Sequence, residues 1–151
     1  YADFFGESVD PEETWEMGKD LYEKGAEIEY LRSLSNPNSL VVPIEQGGKT
    51  VYTPMPANMD QKILVNAVCT DKNDYCEVHA NSMVISHAAY LISQYLGREK
   101  TEKLYYLTMT QYLTARTNFR QSAKLTLQAC EQLYDDEDCQ TIKSVFESVG
   151  L

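Results

Sequence analysis

The stretch from Ser82 to Leu96 is apolar around most of a helix's circumference, with Val84, Ala88, Leu91 and Tyr95 on one row and Ile85, Ala89, Ile92 and Leu96 on the next. A helix of that kind has no solvent face to spare, so it has to lie at the centre of a shell of other elements. Gly97 stops it. The shell is legible further on. Tyr105, Tyr106, Met109, Tyr112 and Leu113 mark a second helix, and Phe119, Ala123, Leu127, Cys130 and Tyr134 a third, opened by Thr117 or Asn118 as cap. A fourth follows, with the acidic run Asp135-Asp136-Glu137-Asp138 at its positive end, an apolar stripe of Cys139, Ile142, Phe146 and Val149, and Gly150 as its terminus.

Before His79 the character is different. From Ser33 to Asp74 the turn formers Pro, Gly, Asn and Ser recur, as in Ser35-Asn36-Pro37-Asn38-Ser39. Leu40-Val41-Val42 and Thr50-Val51-Tyr52 flank Gly47-Gly48 and read as a small β-hairpin, the only strand signal in the chain. The expected fold class is all-α: one domain over 1–151, with a loop-rich lobe at 1–78 and a helical bundle at 79–151.

Length and charge narrow the partners. A chain of 151 residues suits one core. Its 13 Lys and Arg against 23 Asp and Glu give a formal charge of −10, which repels phosphate backbones and anionic membrane surfaces. Nucleic acid and membrane are therefore not expected partners, and no apolar run approaches the roughly 20 residues of a membrane span. The sequence opens at Tyr1 inside an apolar segment with no initiator Met, so the natural polypeptide is expected to continue upstream.

The four cysteines form two local pairs, Cys69 with Cys76 and Cys130 with Cys139, each closing a short loop. Paired by proximity, they would be disulfides of an oxidising compartment, each contributing about 2 to 3 kcal/mol. The alternative is a thiolate zinc cluster, for which neither spacing resembles a Cys-x-x-Cys knuckle.

No His-Glu-x-x-His, Gly-x-Ser-x-Gly, P-loop or dinucleotide fingerprint is present. One constellation stands out: His79 opens the long apolar helix, with Asp74 five positions earlier on a segment that Cys76 would pin. A carboxylate on one imidazole nitrogen fixes the ring and leaves the other nitrogen to donate to developing negative charge. A histidine that merely helps cap a helix is the plainer reading. His87, between Ser86 and two alanines, reads as a helix-surface residue. Arg32 reads as a surface arginine, or as a fork for a carbonyl or carboxylate. The acidic cluster Glu7, Asp10, Glu12, Glu13 and Glu16 has the hard oxygens for calcium without EF-hand spacing; a solvated acidic face is the other reading.

Taken together, the segments point further. Ala2-Asp3-Phe4-Phe5-Gly6 resembles the Ser-Asp-x-Phe-Gly that follows Asn-Glu-Ala in thermolysin-like zinc metallopeptidases. In that family the Glu of Asn-Glu-Ala is the third zinc ligand, and it would lie two residues before Tyr1. Trp15-Glu16-Met17-Gly18-Lys19-Asp20-Leu21-Tyr22 resembles the family's Trp-Glu-Ile-Gly-x-Asp-Ile-Tyr, and Leu31-Arg32-Ser33-Leu34-Ser35-Asn36-Pro37 its Leu-Arg-Ser-Met-Ser-Asp-Pro. Val78-His79-Ala80-Asn81-Ser82 followed by Ala88-Ala89-Tyr90-Leu91 is similar to the stretch bearing its catalytic histidine. Gly97-Arg98, Tyr112-Leu113-Thr114, Asn118-Phe119, Leu133-Tyr134 and Val149-Gly150-Leu151 carry the likeness to the end, leaving out only 38–70.

The resemblance implies the C-terminal helical half of a secreted zinc endopeptidase, made as a zymogen and cleaving protein or peptide substrates before hydrophobic residues. His79 matches the histidine that hydrogen-bonds the tetrahedral intermediate, and Asp74 the aspartate that orients it. Asp3 matches a carboxylate supporting a zinc-bound histidine. Arg32 matches the arginine that binds the carbonyl of the residue after the scissile bond, and Leu31 a wall of that residue's apolar pocket. Zinc, its ligands and the general-base Glu would belong to the N-terminal half, the implied partner, so this chain alone would be inactive. A non-catalytic helical interaction module sharing the fold is the rival reading. Two departures stand out. Cys76-Glu77 replaces the family's Gly-Gly. Lys19 and Thr14 stand where calcium-binding acids are usual, so that a double calcium site is lost and a single ion on Glu7 and Asp10 is the remaining expectation.

Overall fold

The chain, seen in a computed structural model, is described at all residues except 11, 13, 24, 26 and 27, and at 20 in its main chain only. Glu13 of the acidic cluster thus lies outside the described residues. The first helix, α1 (Ala2–Ser8), buries Asp3, Phe4 and Glu7 and sends Phe4 into the main core. Two very short strands, β1 (Glu16–Met17) and β2 (Arg32–Ser33), pair antiparallel, Met17 opposite Arg32. The ladder is extended by main-chain bonds from Leu34 to Trp15 and from Leu31 to Met17, both 2.8 Å. Two residues are too few for any alternation, so this pairing has no sequence signal.

The hairpin is present and longer than its apolar cores: β3 (Val41–Gln46) and β4 (Lys49–Pro54) pair from Gln46–Lys49 to Val41–Pro54. Gly47 and Gly48 both have positive φ, 58° and 77°, the backbone a two-residue type I′ hairpin loop demands. Ile44 alone of this ribbon is fully buried, in a small cluster with Ile63 and Ala80.

α2 (Asp74–Asn81) has positive φ at its first four residues and carries His79 in its last turn, and α3 (Met83–Leu96) follows after Ser82. α3 is the central helix: Met83, Val84, Ile85, Ser86, Ala88, Ala89, Ile92 and Ser93 are buried. Its last turn emerges into solvent, so Tyr95, expected on a buried row, is 69% exposed. Gly97 (φ 78°) separates α3 from α4 (Arg98–Leu107). The second helix therefore starts about two turns before its aromatic stripe. From Thr108 to Tyr112 the coil widens to a π-helical turn. There the Thr108 hydroxyl donates to the Leu104 carbonyl at 2.8 Å. Tyr105 goes to the core, while Tyr106 and Met109 turn outward.

α5 (Phe119–Leu133) is opened by Asn118, not Thr117: Asn118 Oδ1 accepts from Gln121 N and Gln121 Oε1 from Asn118 N, both 3.0 Å, a reciprocal capping box. α6 (Asp136–Ser148) is capped by Asp135, which accepts from Asp138 N at 3.0 Å. α3 packs on α4 and α6, and α5 on α4 and α6. Phe4, Ile92, Leu104, Tyr105, Ile142 and Phe146 meet in one cluster. Each such side chain contributes about 1.5 to 3 kcal/mol by leaving water.

Both cysteine pairs are disulfides, and no cysteine is free, which sets aside a thiolate metal cluster. Cys130 on α5 is joined to Cys139 on α6, fixing the turn between them. Among the described residues no helix is long and apolar enough to cross a membrane.

Candidate functional site

The β1–β2 ladder sets Arg32 beside α1. Its Nη1 donates to Asp3 Oδ1 at 2.8 Å, and the other carboxylate oxygen accepts from Ser86 Oγ of α3 at 3.1 Å. Asp3 is buried, so this is a desolvated ion pair whose remaining lone pair is satisfied, the condition under which such a pair is tolerated. Three elements are thereby tied at one carboxylate. Ser86 was not a sequence candidate, since a serine on an apolar helix shows no partner until the fold supplies one.

Asp74 and His79 are brought together by an unusual piece of backbone. Asp74, Tyr75, Cys76 and Glu77 have φ of 48°, 49°, 68° and 60°, four consecutive non-glycine residues in the left-handed region. Left-handed backbone costs L-residues about 1 to 2 kcal/mol each, hence about 4 to 8 for the turn. Three things oppose that cost. The Cys69–Cys76 disulfide closes a loop worth about 2 to 3 kcal/mol on the chain-entropy view. Asn73 Oδ1 accepts from Thr70 N (2.9 Å) and Cys76 N (3.1 Å), while its amide donates to the Val68 carbonyl (2.9 Å). Asn81, buried on α2, donates to the carbonyls of Ile63 (3.0 Å) and Cys76 (3.3 Å).

The result is a carboxylate engaged twice by one residue. Asp74 Oδ2 accepts from His79 N at 3.0 Å, and Oδ1 accepts from His79 Nδ1. Partial burial works against the charged carboxyl, but the His79 backbone and ring, with the nearby Arg32 charge, hold it below the ordinary aspartate value. Glu77, next on the turn, moves the other way, raised by burial and by the Asp74 charge. With Nδ1 committed to Asp74, Nε2 is the ring nitrogen left for a ligand, an acceptor in the neutral ring and a donor in the imidazolium.

What lies in front is a cavity of about 410 Å³ lined by Asp3, Arg32, His79, Ser82, Ser86 and Phe119, among others. Asp3, Arg32 and His79 therefore share one concavity, with Asp74 behind His79. Leu31 is 48% exposed and is not among its lining residues. His87 differs from its expected surface role: it is half-buried, donates from Nδ1 to the Leu34 carbonyl at 2.7 Å and stacks near Tyr90, which makes it a tie between α3 and the loop lobe.

Glu7 and Asp10 lie at the far end of α1. Glu7 is buried with Oε2 unpartnered, and burial together with the Asp10 charge pushes its carboxyl above the ordinary value. Arg98 donates to the main-chain carbonyls of Glu7 and, at 3.4 Å, Asp10. No group of three His, Cys, Asp or Glu with metal-holding geometry occurs among the described residues.

Comparison with known proteins agrees with this architecture. The sequence model of the family described as thermolysin metallopeptidase, alpha-helical domain, matches residues 1–151. The chain is 31% identical over its whole length to an extracellular elastase of Staphylococcus epidermidis and 32% identical to a bacillolysin of Bacillus amyloliquefaciens, covering 26% and 25% of those proteins. It spans about a quarter of the length of these relatives. A solved structure described as the precursor of protealysin, a metalloproteinase from Serratia proteamaculans, superimposes with a TM-score of 0.68 at 26% identity, over 91% of this chain and 41% of that one. The match along the full sequence, on a bundle built around α3, makes this chain a member of the thermolysin metallopeptidase family, corresponding to its alpha-helical domain.

Proposed function

We propose that this chain is the helical part of a secreted zinc metalloendopeptidase that cleaves peptide bonds before hydrophobic residues, with His79 as oxyanion stabiliser, Asp74 as its positioning carboxylate and Arg32 as a ligand for a substrate carbonyl. The observation that carries this reading is the shared cavity: the His79 ring and the Arg32 guanidinium line the same 410 Å³ space, each held by its own carboxylate. Secretion agrees with two disulfides and with a relative named as extracellular.

The chain's own residues do three things. Asp74 holds the proton on His79 Nδ1 and fixes the ring plane, and in the imidazolium form the Nε2–H donates to the oxyanion formed when a peptide carbonyl becomes tetrahedral. Asp3 fixes the Arg32 guanidinium through one N–H and leaves the fork directed at a carbonyl, and its carboxylate is also placed to accept from a metal-bound imidazole. Leu31, with residues from the rest of the polypeptide, walls the apolar pocket. Zinc, held by the N-terminal half, would activate water and polarise the scissile carbonyl. A single calcium ion would use the buried Glu7 carboxylate and Asp10, hard oxygen donors of which Glu7 Oε2 lacks a partner.

The test is His79→Ala in the full-length protein. Loss of about 10²- to 10³-fold in kcat with folding intact is expected. Unchanged turnover would overturn the reading, as would peptide hydrolysis by residues 1–151 alone with added zinc.

A further inference from the structure

The left-handed turn at Asp74–Glu77 is the most strained segment among the described residues, and it carries the carboxylate that holds His79. Nothing about its residue types favours that backbone: aspartate tolerates it, but tyrosine, cysteine and glutamate do not. Asn73 caps the turn from one side, but its own position depends on Thr70 and Val68, in the strand of chain that Cys69 anchors. Beyond the main chain itself, that segment and the turn are cross-linked by the bond from Cys69 to Cys76, and Cys76 has the largest φ of the four.

We propose that the Cys69–Cys76 disulfide is a positioning element for His79: it holds the left-handed turn, and the Asp74–His79 pairing is made only while that bond is oxidised. The proposal rests on the peptidase reading for its functional meaning. It makes a redox-sensitive device of the site, because Cys69 is exposed and Cys76 half-buried, whereas Cys130 of the other disulfide is fully buried. A small dithiol therefore reaches the outer bond first. The dithiol gives two electrons and two protons: its sulfurs close into a disulfide, the Cys69–Cys76 bond breaks, and both cysteines end as thiols.

The experiment compares three forms of the polypeptide carrying residues 1–151: unmodified, Cys69→Ala with Cys76→Ala, and Cys69→Ala with Cys76→Gly and Glu77→Gly. Glycine adopts positive φ without steric cost, so it replaces the clamp without replacing the bond. In the alanine form, amide exchange at His79 is expected to quicken roughly tenfold and the strong intraresidue amide-to-Hα contacts of a left-handed backbone to vanish at 74–77, with α5 and α6 unaltered. In the glycine form, protection is expected to return to within about threefold of the unmodified chain. Unchanged His79 protection in the alanine form, or no recovery with glycine, overturns the proposal. Should the alanine form not fold, stepwise dithiol reduction of the unmodified protein, followed by alkylation mapping and the same exchange measurement, decides between the same two outcomes. None of these readouts needs substrate or zinc, so they are separate from the failure or success of the peptidase reading.

Discussion

Asp74 grips His79 at two points, one carboxylate oxygen accepting the main-chain N–H at 3.0 Å and the other the ring Nδ1, across a turn of only five residues. That double contact couples the conformation of the backbone to the orientation of the imidazole. In Asp74→Asn one of the two acceptor oxygens becomes an NH₂ donor, so one of the two His79 N–H groups meets a donor where it had met an oxygen. The full-length enzyme should lose roughly ten- to a hundredfold in kcat with KM little changed, since the ring would be mispositioned rather than absent. Steady-state kinetics on a peptide substrate measures the split.

The same pair has a signature in stability. The Asp74 carboxyl titrates below its ordinary value in the folded chain, so the unfolded chain binds the extra proton in the interval between the two values. The pair's contribution is present in full above the unfolded value and is lost as pH falls through the folded one. Urea unfolding between neutral pH and pH 3 should show this loss, and Asp74→Asn should flatten that part of the profile.

Glu7 should behave in the opposite sense. Its folded carboxyl titrates above the ordinary glutamate value because it is buried beside Asp10, so the folded chain binds the extra proton and stability falls as pH rises through that interval. At neutral pH without calcium, Glu7→Gln should therefore raise the melting temperature by roughly 2 to 4 °C. If calcium uses the unpartnered Oε2, the unmodified protein should show a calcium-dependent rise in melting temperature and the same variant should abolish it. Calorimetry with and without a chelator at two pH values gives both results.

The parts of this molecule that were legible in its residues are those set by local signals. Burial of Val84, Ala88 and Ile92 follows from helical period alone, a cap at Thr117 or Asn118 from capping chemistry, and the hairpin from two glycines that tolerate positive φ. The departures arise where a distant partner decides. Two-residue strands pair because Trp15 and Leu34 are already adjacent, and the Thr108 turn widens where its hydroxyl bonds a carbonyl one turn back. At the site, Asp74 and His79 are close in sequence and their pairing was foreseeable. The bond from Ser86 to Asp3 spans most of the chain and had no precursor signal. Likewise, the left-handed residues at 74–77 look ordinary in sequence, since their conformation is imposed by a disulfide and two asparagines rather than by their own preferences.

Arg32→Lys separates charge from geometry. A lysine keeps the positive charge and can still approach Asp3, but it offers a point charge where the guanidinium offers a planar fork fixed by the 2.8 Å bond to Asp3. Binding of a substrate carbonyl should weaken more than the chemical step, with KM rising about tenfold and kcat changing less. Equal losses in kcat and kcat/KM would place Arg32 in transition-state stabilisation instead.

Gly150 closes the bundle, and its replacement tests how closely the loop lobe is packed against it. After α6 the chain turns through Gly150 at φ 80°, and its N–H bonds the Glu147 carbonyl at 3.0 Å. A Cβ there would sit 3.0 Å from Met59 Cβ and 3.6 Å from Met59 N, while Met59 N itself donates to the Val149 carbonyl at 2.9 Å. Alanine at 150 thus meets two obstacles: left-handed backbone that an L-residue resists, and a contact that cannot be relieved by rotating a flexible tip because the nearest atom is a Cβ. Gly150→Ala should destabilise by about 1 to 3 kcal/mol, read as a lower urea midpoint with unchanged slope. Met59→Ala leaves that Cβ in place and should not rescue it, whereas Met59→Gly removes the clash and should recover only the steric share, leaving the conformational share behind.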